Sequence, residues 1–185
     1  MNEWGRKRVV MHRYDLTADM YDTRYAEEQK AKIEVALENL AIEKPALILD
    51  VGCGTGILFG YIVEKADAIV GLDISRKNLF KAKKRAKNFG NAHLVLADAD
   101  NMPFKGNVFT HVFGVTLLQN MPNPIKTLRE IRRVARKDAV VVATGLKKTF
   151  ALDEFQELMA DAGFVIVDLK GEGLKCYVAV CRISP

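Results

Sequence analysis

From residue 46 onward, short apolar blocks alternate with longer amphipathic ones. In "ALILDVG", Leu47, Ile48, Leu49 and Val51 form a near-continuous apolar run, the pattern of a strand buried on both faces. "GTGILFGYIVEKA" follows, with Ile57, Leu58, Tyr61 and Ile62 at helical spacing. "DAIVGLDIS" reads as a second strand, and Ser75 is placed to cap the basic helix after it. "AHLVLAD" and "THVFGVT" are strands three and four, joined by a polar loop without a helix. "NPIKTLREIRRVAR" is a helix with proline near its first turn, and "AVVVAT" is strand five. "LDEFQELMADAG" is a helix closed by Gly163, and "FVIVDLKGEGLKCYVAVCRI" forms two strands around Gly171 and Gly173.

Strands separated by helices pair in parallel, and the last pair adds an antiparallel hairpin. The pattern predicts an α/β fold: a doubly wound, Rossmann-like sheet of seven strands, mostly parallel, with an antiparallel C-terminal hairpin strand. One domain over 1–185 is expected, a helical lid segment (1–44) preceding the core (45–185). Ligands of such sheets sit beyond the C-terminal strand ends, near the switch point. Those ends read "DVGCGTG", "GLDIS", "LADAD" and "GVTLLQN".

The chain of 185 residues is 49% hydrophobic and 28% charged, a globular composition. It contains neither an apolar run of membrane-spanning length nor the uninterrupted apolar core of a secretory signal. Cys53, Cys176 and Cys181 lack metal-site spacing, so no metal and a reduced cytoplasmic setting are expected. The net charge of +5 is concentrated in two basic stretches, residues 76–87 and 126–137. Such stretches neutralise phosphates or simply face water.

Gly52, Gly54 and Gly56 follow strand one. Glycine there lets a ligand lie against bare backbone. A dinucleotide site would need G-x-G-x-x-G, but the third position is Ile57, and no phosphate-loop Lys-Ser/Thr follows. Asp50 would repel a pyrophosphate but attract a cationic ligand. S-adenosylmethionine carries an ammonium and a sulfonium beside a ribose and an adenine. Asp73 ends strand two, where an acid can accept from ribose hydroxyls, and Asp98 ends strand three, suited to an adenine amine.

With D-V-G-C-G-T-G, G-L-D-I-S and D-A-x-x-M-P-F in this order, the chain resembles the class I S-adenosylmethionine-dependent methyltransferases. The resemblance runs from about Tyr14 to Ile183. It implies that Gly52, Cys53, Gly54 and Gly56 line the methionine moiety, with Asp50 near the ammonium. Asp73 would bind the ribose, Ile74 would pack on the adenine, and Asp98 and Ala99 would meet the adenine edge. Val115 and Thr116 would lie between cofactor and acceptor, and S-adenosylhomocysteine would be the product. Two places depart from the group: Phe109-Thr110 stands where Phe-Asp is usual, and "VARKDA" replaces Leu-Lys-Pro-Gly-Gly.

No catalytic residue is legible. Methyl transfer from a sulfonium rests mainly on positioning and needs a base only when the acceptor must lose a proton. The Asn/Asp-Pro-Pro-Tyr/Phe signature of exocyclic-amine methylation is missing. Tyr14, Tyr21 and Tyr25 share one helical face, read either as a helix packed on the sheet or as a lid in which Tyr21 and Arg24 cover the methionine end. The N-terminal spelling A-x-x-Y-x-x-(T/S)-R is similar to that of tRNA-wobble and rRNA methyltransferases that work with a small zinc-binding activator subunit. The acceptor expectation leans to RNA or a translation component. A small-molecule acceptor and a non-catalytic cofactor-binding subunit are the alternatives, and no membrane partner is expected.

Overall fold

A computed structural model describes residues 2–38 and 40–185, with the side chains of 18–24 outside the description. Helix α1 (Glu3–Leu37) leads to β1 (Leu47–Val51), the single turn α2 (Phe59–Ile62), β2 (Ala68–Asp73), α3 (Arg76–Ala86) and β3 (Ala92–Leu96). Then come β4 (Phe109–Gly114), α4 (Pro124–Val134), β5 (Ala135–Leu146), α5 (Leu152–Asp161), β6 (Phe164–Lys170) and β7 (Cys176–Ile183). Seven strands form one sheet in the order β3-β2-β1-β4-β5-β7-β6. Strands β1 to β5 pair in parallel, and β7 runs antiparallel between β5 and β6. The order runs outward from β1 in both directions, so the switch point falls between β1 and β4.

The apolar runs are continuous because both sheet faces are covered. Ile48 falls in one buried cluster with Ile33 of α1, Phe59 of α2 and Leu79 of α3, whereas its neighbour Leu49 falls in the other with Leu128 of α4 and Phe155 of α5. The basic helices α3 and α4 consequently lie on opposite faces and cannot form one continuous patch. Cys53, Cys176 and Cys181 are free, buried thiols.

Two elements differ from the sequence expectation. The helix after the glycine loop shrinks to Phe59–Ile62, followed by a 3-10 turn. Gly56, at φ +77°, cannot enter a right-handed helix, so the chain turns instead, Phe59 N–H donating to Gly56 O at 3.2 Å. That turn drives Phe59 into the core at 0% exposure. Phe59→Ala is expected to cost about 3–5 kcal/mol, read from urea unfolding. Strand β5 begins at Ala135, four residues earlier than predicted. Val108 N–H donates to Val134 O at 2.8 Å and Phe109 pairs with Ala135, so "VARKDA" continues as strand through a register shift. The other departure also finds a reason, because Thr110 Oγ1 accepts from Leu47 N–H and donates to Leu47 O, both at 3.0 Å, tying β4 to β1.

Helix α1 crosses the C-terminal ends of the strands. Ile33 and Ala36 join the core, but Lys7, Gln29 and Lys32 are buried too. A helix burying cations and an amide on its inner face is covering something polar.

Candidate functional site

The ends of β1, β2, β3 and β4 converge on one cavity beneath α1. Its walls include Gly52, Gly54, Asp73, Ile74, Asp98, Ala99, Val115 and Thr116, eight residues singled out in the sequence. Helix α1 closes the cavity with Lys7, Val10 and Tyr14. A smaller adjoining cavity takes Asp50 and Cys53 together with Gly52, Gly54, Val115 and Gln29. Gly56 lines neither cavity and packs against Phe59 and Ala82. The side chains of Tyr21 and Arg24 lie outside the described residues.

Asp73 braces the loop. Its Oδ2 accepts from Gly54 N–H at 2.8 Å and its Oδ1 from Ser75 N–H at 2.7 Å. Burial pushes its pKa up to about 6, against the pull of those backbone donors. Asp50 is 3% exposed and makes no hydrogen bond or ion pair among the described residues. Desolvation, and then the nearby Asp73, push its pKa up to about 8. It is a buried carboxyl facing a cavity with nothing yet to neutralise it.

Several site residues escaped the sequence. Lys7 Nζ donates to both oxygens of Asp98 at 2.7 Å and to Asp100, and Asp100 also accepts from Thr127 Oγ1. Burial works against the Lys7 charge, but the two carboxylates outweigh it and raise its pKa. Asp15 of α1 accepts from Ser75 Oγ at 2.5 Å, fastening α1 to the start of α3. Asn78 is 4% exposed, and its Oδ1 is buried on the cavity wall without a partner. Nothing in an arginine-lysine run or an α3 asparagine marks such roles, because the partner of Lys7 lies 91 residues away.

Thr116 has φ +60°, rare for a β-branched residue and typical of functional sites. Four contacts hold it there. Its N–H donates to Thr144 Oγ1 at 2.7 Å and its Oγ1 to Gln29 Oε1 at 3.1 Å. Its Oγ1 also accepts from Lys32 Nζ at 3.2 Å, and its carbonyl from Asn120 Nδ2 at 2.8 Å. Beyond it lies a third cavity, of about 280 Å³, between α1 and the loop after β4. Tyr14, Thr116 and Asn120 line both this cavity and the first, so the two adjoin. Tyr14 and Tyr25 share its α1 wall, as their spacing predicted.

With this geometry in hand, comparison with known proteins is decisive. Residues 49–143 match a family described as methyltransferase domain. The chain belongs to that family. That family is the class I S-adenosylmethionine-dependent methyltransferases, whose cofactor is S-adenosylmethionine. The malonyl-[acyl-carrier protein] O-methyltransferase of Marinomonas sp. is 31% identical over 77% of this chain and 53% of its own length. The chain spans about half the length of the curated relatives it matches. Among solved structures, Burkholderia thailandensis 1,6-didemethyltoxoflavin-N1-methyltransferase covers 100% of this chain and 92% of its own, with TM-score 0.82 and 16% identity. The complex between the Haloferax volcanii Trm112 methyltransferase activator and its methyltransferase covers 93% of this chain and 98% of its own, also with TM-score 0.82 and 16% identity. These likenesses establish the fold of the methyltransferase domain.

Proposed function

We propose that the chain is a methyltransferase that holds S-adenosylmethionine beneath α1 and methylates a small-molecule acceptor seated in the third cavity. The observation that carries this reading is Asp50, a buried and unpaired carboxyl beside a glycine loop. A cationic ligand satisfies it and a pyrophosphate does not. Gly54 leaves open space where a side chain would stand, and the orphaned Asn78 Oδ1 supplies a further acceptor for a ribose or adenine donor. The residues present therefore fit the cofactor: Asp50, Gly52, Cys53 and Gly54 at the methionine end, Asp73 and Asn78 at the ribose, Ile74, Asp98 and Ala99 at the adenine. Asp98 is already engaged by Lys7, so an adenine amine shares that carboxylate or displaces the lysine. When bound, the cofactor supplies a methyl carbon on a sulfonium, open to displacement by an acceptor lone pair as the bonding pair returns to sulfur.

The chain's own contribution is positioning. Thr116 and Gln29 stand at the meeting of the cavities, and Tyr14 separates the two larger ones. A side-chain-walled cavity of about 280 Å³ suits a small acceptor, as does the name of the Burkholderia protein. The RNA reading draws no support from α3 and α4, which face away from each other. Association with a small activator subunit is kept as a second reading, on the Haloferax complex. Calorimetric titration with S-adenosylmethionine and with NAD tests the core of the proposal. Micromolar binding of the first alone is expected, and binding of NAD alone would overturn it.

A further inference from the structure

The third cavity has an uncommon charge pattern. Its α1 wall presents Arg13, Glu28 and Lys32, with Tyr14, Thr17 and Tyr25 between them. Lys32 is 2% exposed, yet its ammonium has three donor positions and the structure fills two. One goes to Glu28 Oε1 at 2.7 Å and one to Thr116 Oγ1 at 3.2 Å. Glu28 is shared with Lys175, 3.3 Å away at the rim, so among the described residues one carboxylate is flanked by two cations, with Arg13 a third on the same wall. Arg13 spends one amino group on Asn120 Oδ1 at 2.8 Å and is otherwise exposed. Opposite α1, Gln119 Oε1 is buried without a partner. A buried ammonium with an unfilled donor position asks for a ligand with an anionic oxygen, whereas the orphaned Gln119 Oε1, an acceptor on the same cavity, asks for an N–H or O–H donor elsewhere on that ligand.

The titratable groups point the same way. Lys32, then Lys175, holds the Glu28 carboxyl below its usual range, leaving it ionised but a weak base. Desolvation raises the pKa of Tyr14, leaving it protonated. An amine would arrive charged among cations and find, among the described residues, no group suited to deprotonate it. A carboxylate or similarly acidic oxygen arrives already ionised and is attracted by the excess positive charge. We propose that this cavity is an oxyanion-binding site, seating a small organic anion with its charged oxygen on Lys32, while Arg13 adds positive charge farther along the same α1 wall. The identity of that anion as the methyl acceptor rests on the function proposed above. The anion site itself does not need the cofactor.

Matched fluorinated probes separate the two claims. 4-Fluorobenzoate, 4-fluorobenzamide and 4-fluorobenzylamine share one ring and differ in head-group charge, and ¹⁹F NMR titration reads their affinities. It is run with and without saturating S-adenosylhomocysteine. Benzoate is expected to bind at least about 10-fold tighter than the amide, with the amine weakest, from the worth of one hydrogen bond to a charged group. Lys32→Met should weaken benzoate by about 10- to 100-fold and S-adenosylhomocysteine by clearly less, since Lys32 is only one of the four contacts on Thr116. Arg13→Ala, at an exposed position farther along the wall, should weaken benzoate about 3-fold through the lost charge and decides the matter if Lys32→Met does not fold. Equal or tighter binding of amide or amine, no binding of benzoate, or indifference to the substitutions would overturn the proposal. Benzoate binding without S-adenosylhomocysteine binding would keep the anion site and remove the methyl-transfer reading.

Discussion

Asp50→Asn is expected to melt higher than the wild type at pH 8 and to bind S-adenosylmethionine more weakly. In the free protein the Asp50 carboxyl has a pKa of about 8 and Asp73 about 6, both above the ordinary carboxylate value. A group that holds its proton more tightly when folded contributes stability fully present below its unfolded pKa. That contribution is lost as pH rises through the folded values. The free protein should therefore weaken between about pH 4 and pH 8, Asp50 alone accounting for at most on the order of 5 kcal/mol. Asparagine keeps the shape and removes the charge, so the decline should flatten and the melting temperature at pH 8 rise by about 5 °C or more. The ammonium of the cofactor reverses the balance by favouring the ionised carboxyl. Binding near pH 7 should then release a proton, visible as a calorimetric enthalpy that changes with the ionisation enthalpy of the buffer. In Asp50→Asn that dependence should vanish, or shrink to the part owed to Asp73, and affinity should fall about 10- to 100-fold. A variant that is no more stable at pH 8, with the buffer dependence intact, would show that Asp50 is neither strained nor the ammonium's partner.

The strand ends were legible because chemistry and topology coincide there. A buried parallel strand must be apolar along its length, so the glycines after Val51 and the acids at 73 and 98 stand out against it. Their convergence then follows from parallel pairing alone. The roof of the site was not legible. Helix α1 carries Lys7, Gln29 and Lys32 inward, and each is a residue type that a sequence assigns to solvent. Only the approach of Asp98, Asp100 and Thr116, more than 80 residues along the chain, makes those side chains internal. The expected helix after the glycine loop failed for a local reason. Its apolar spacing is correct, but a positive φ at Gly56 overrides periodicity, and the same side chains are buried from a turn instead. Tyr14 and Tyr25 show the intermediate case, where spacing gave the shared face but not the cavity that it lines.

Gly54→Val and Gly56→Val place the same side chain two residues apart, and they should fail in different ways. Both glycines have positive φ, +55° and +77°, so each substitution carries backbone strain of about 1–3 kcal/mol. Around Gly54 nothing lies within 4 Å of an added Cβ. The new side chain would project into the two cavities that Gly54 lines, where the cofactor is proposed to sit. The protein should therefore still fold cooperatively, its melting temperature lowered only by the backbone strain, while S-adenosylhomocysteine affinity drops about 100-fold or more in calorimetry, since a wall group replaces the bare backbone. At Gly56 an added Cβ meets Phe59 Cε2 at 2.6 Å and Cδ2 at 2.8 Å, with Ala82 Cβ at 3.3 Å. Phe59 is fully buried between α3 and the sheet, so its ring cannot give way. Overpacking adds about 1–3 kcal/mol to the strain, for a total of about 2–6 kcal/mol that reaches the lower end of an ordinary domain's stability. Gly56→Val should thus show a collapsed urea midpoint or no folded protein at all. Equal loss of cofactor affinity with equal stability in the two variants would mean that Gly56, like Gly54, faces the ligand. Unequal loss of the predicted kind would divide the motif, with Gly54 bare for the cofactor's sake and Gly56 for that of Phe59.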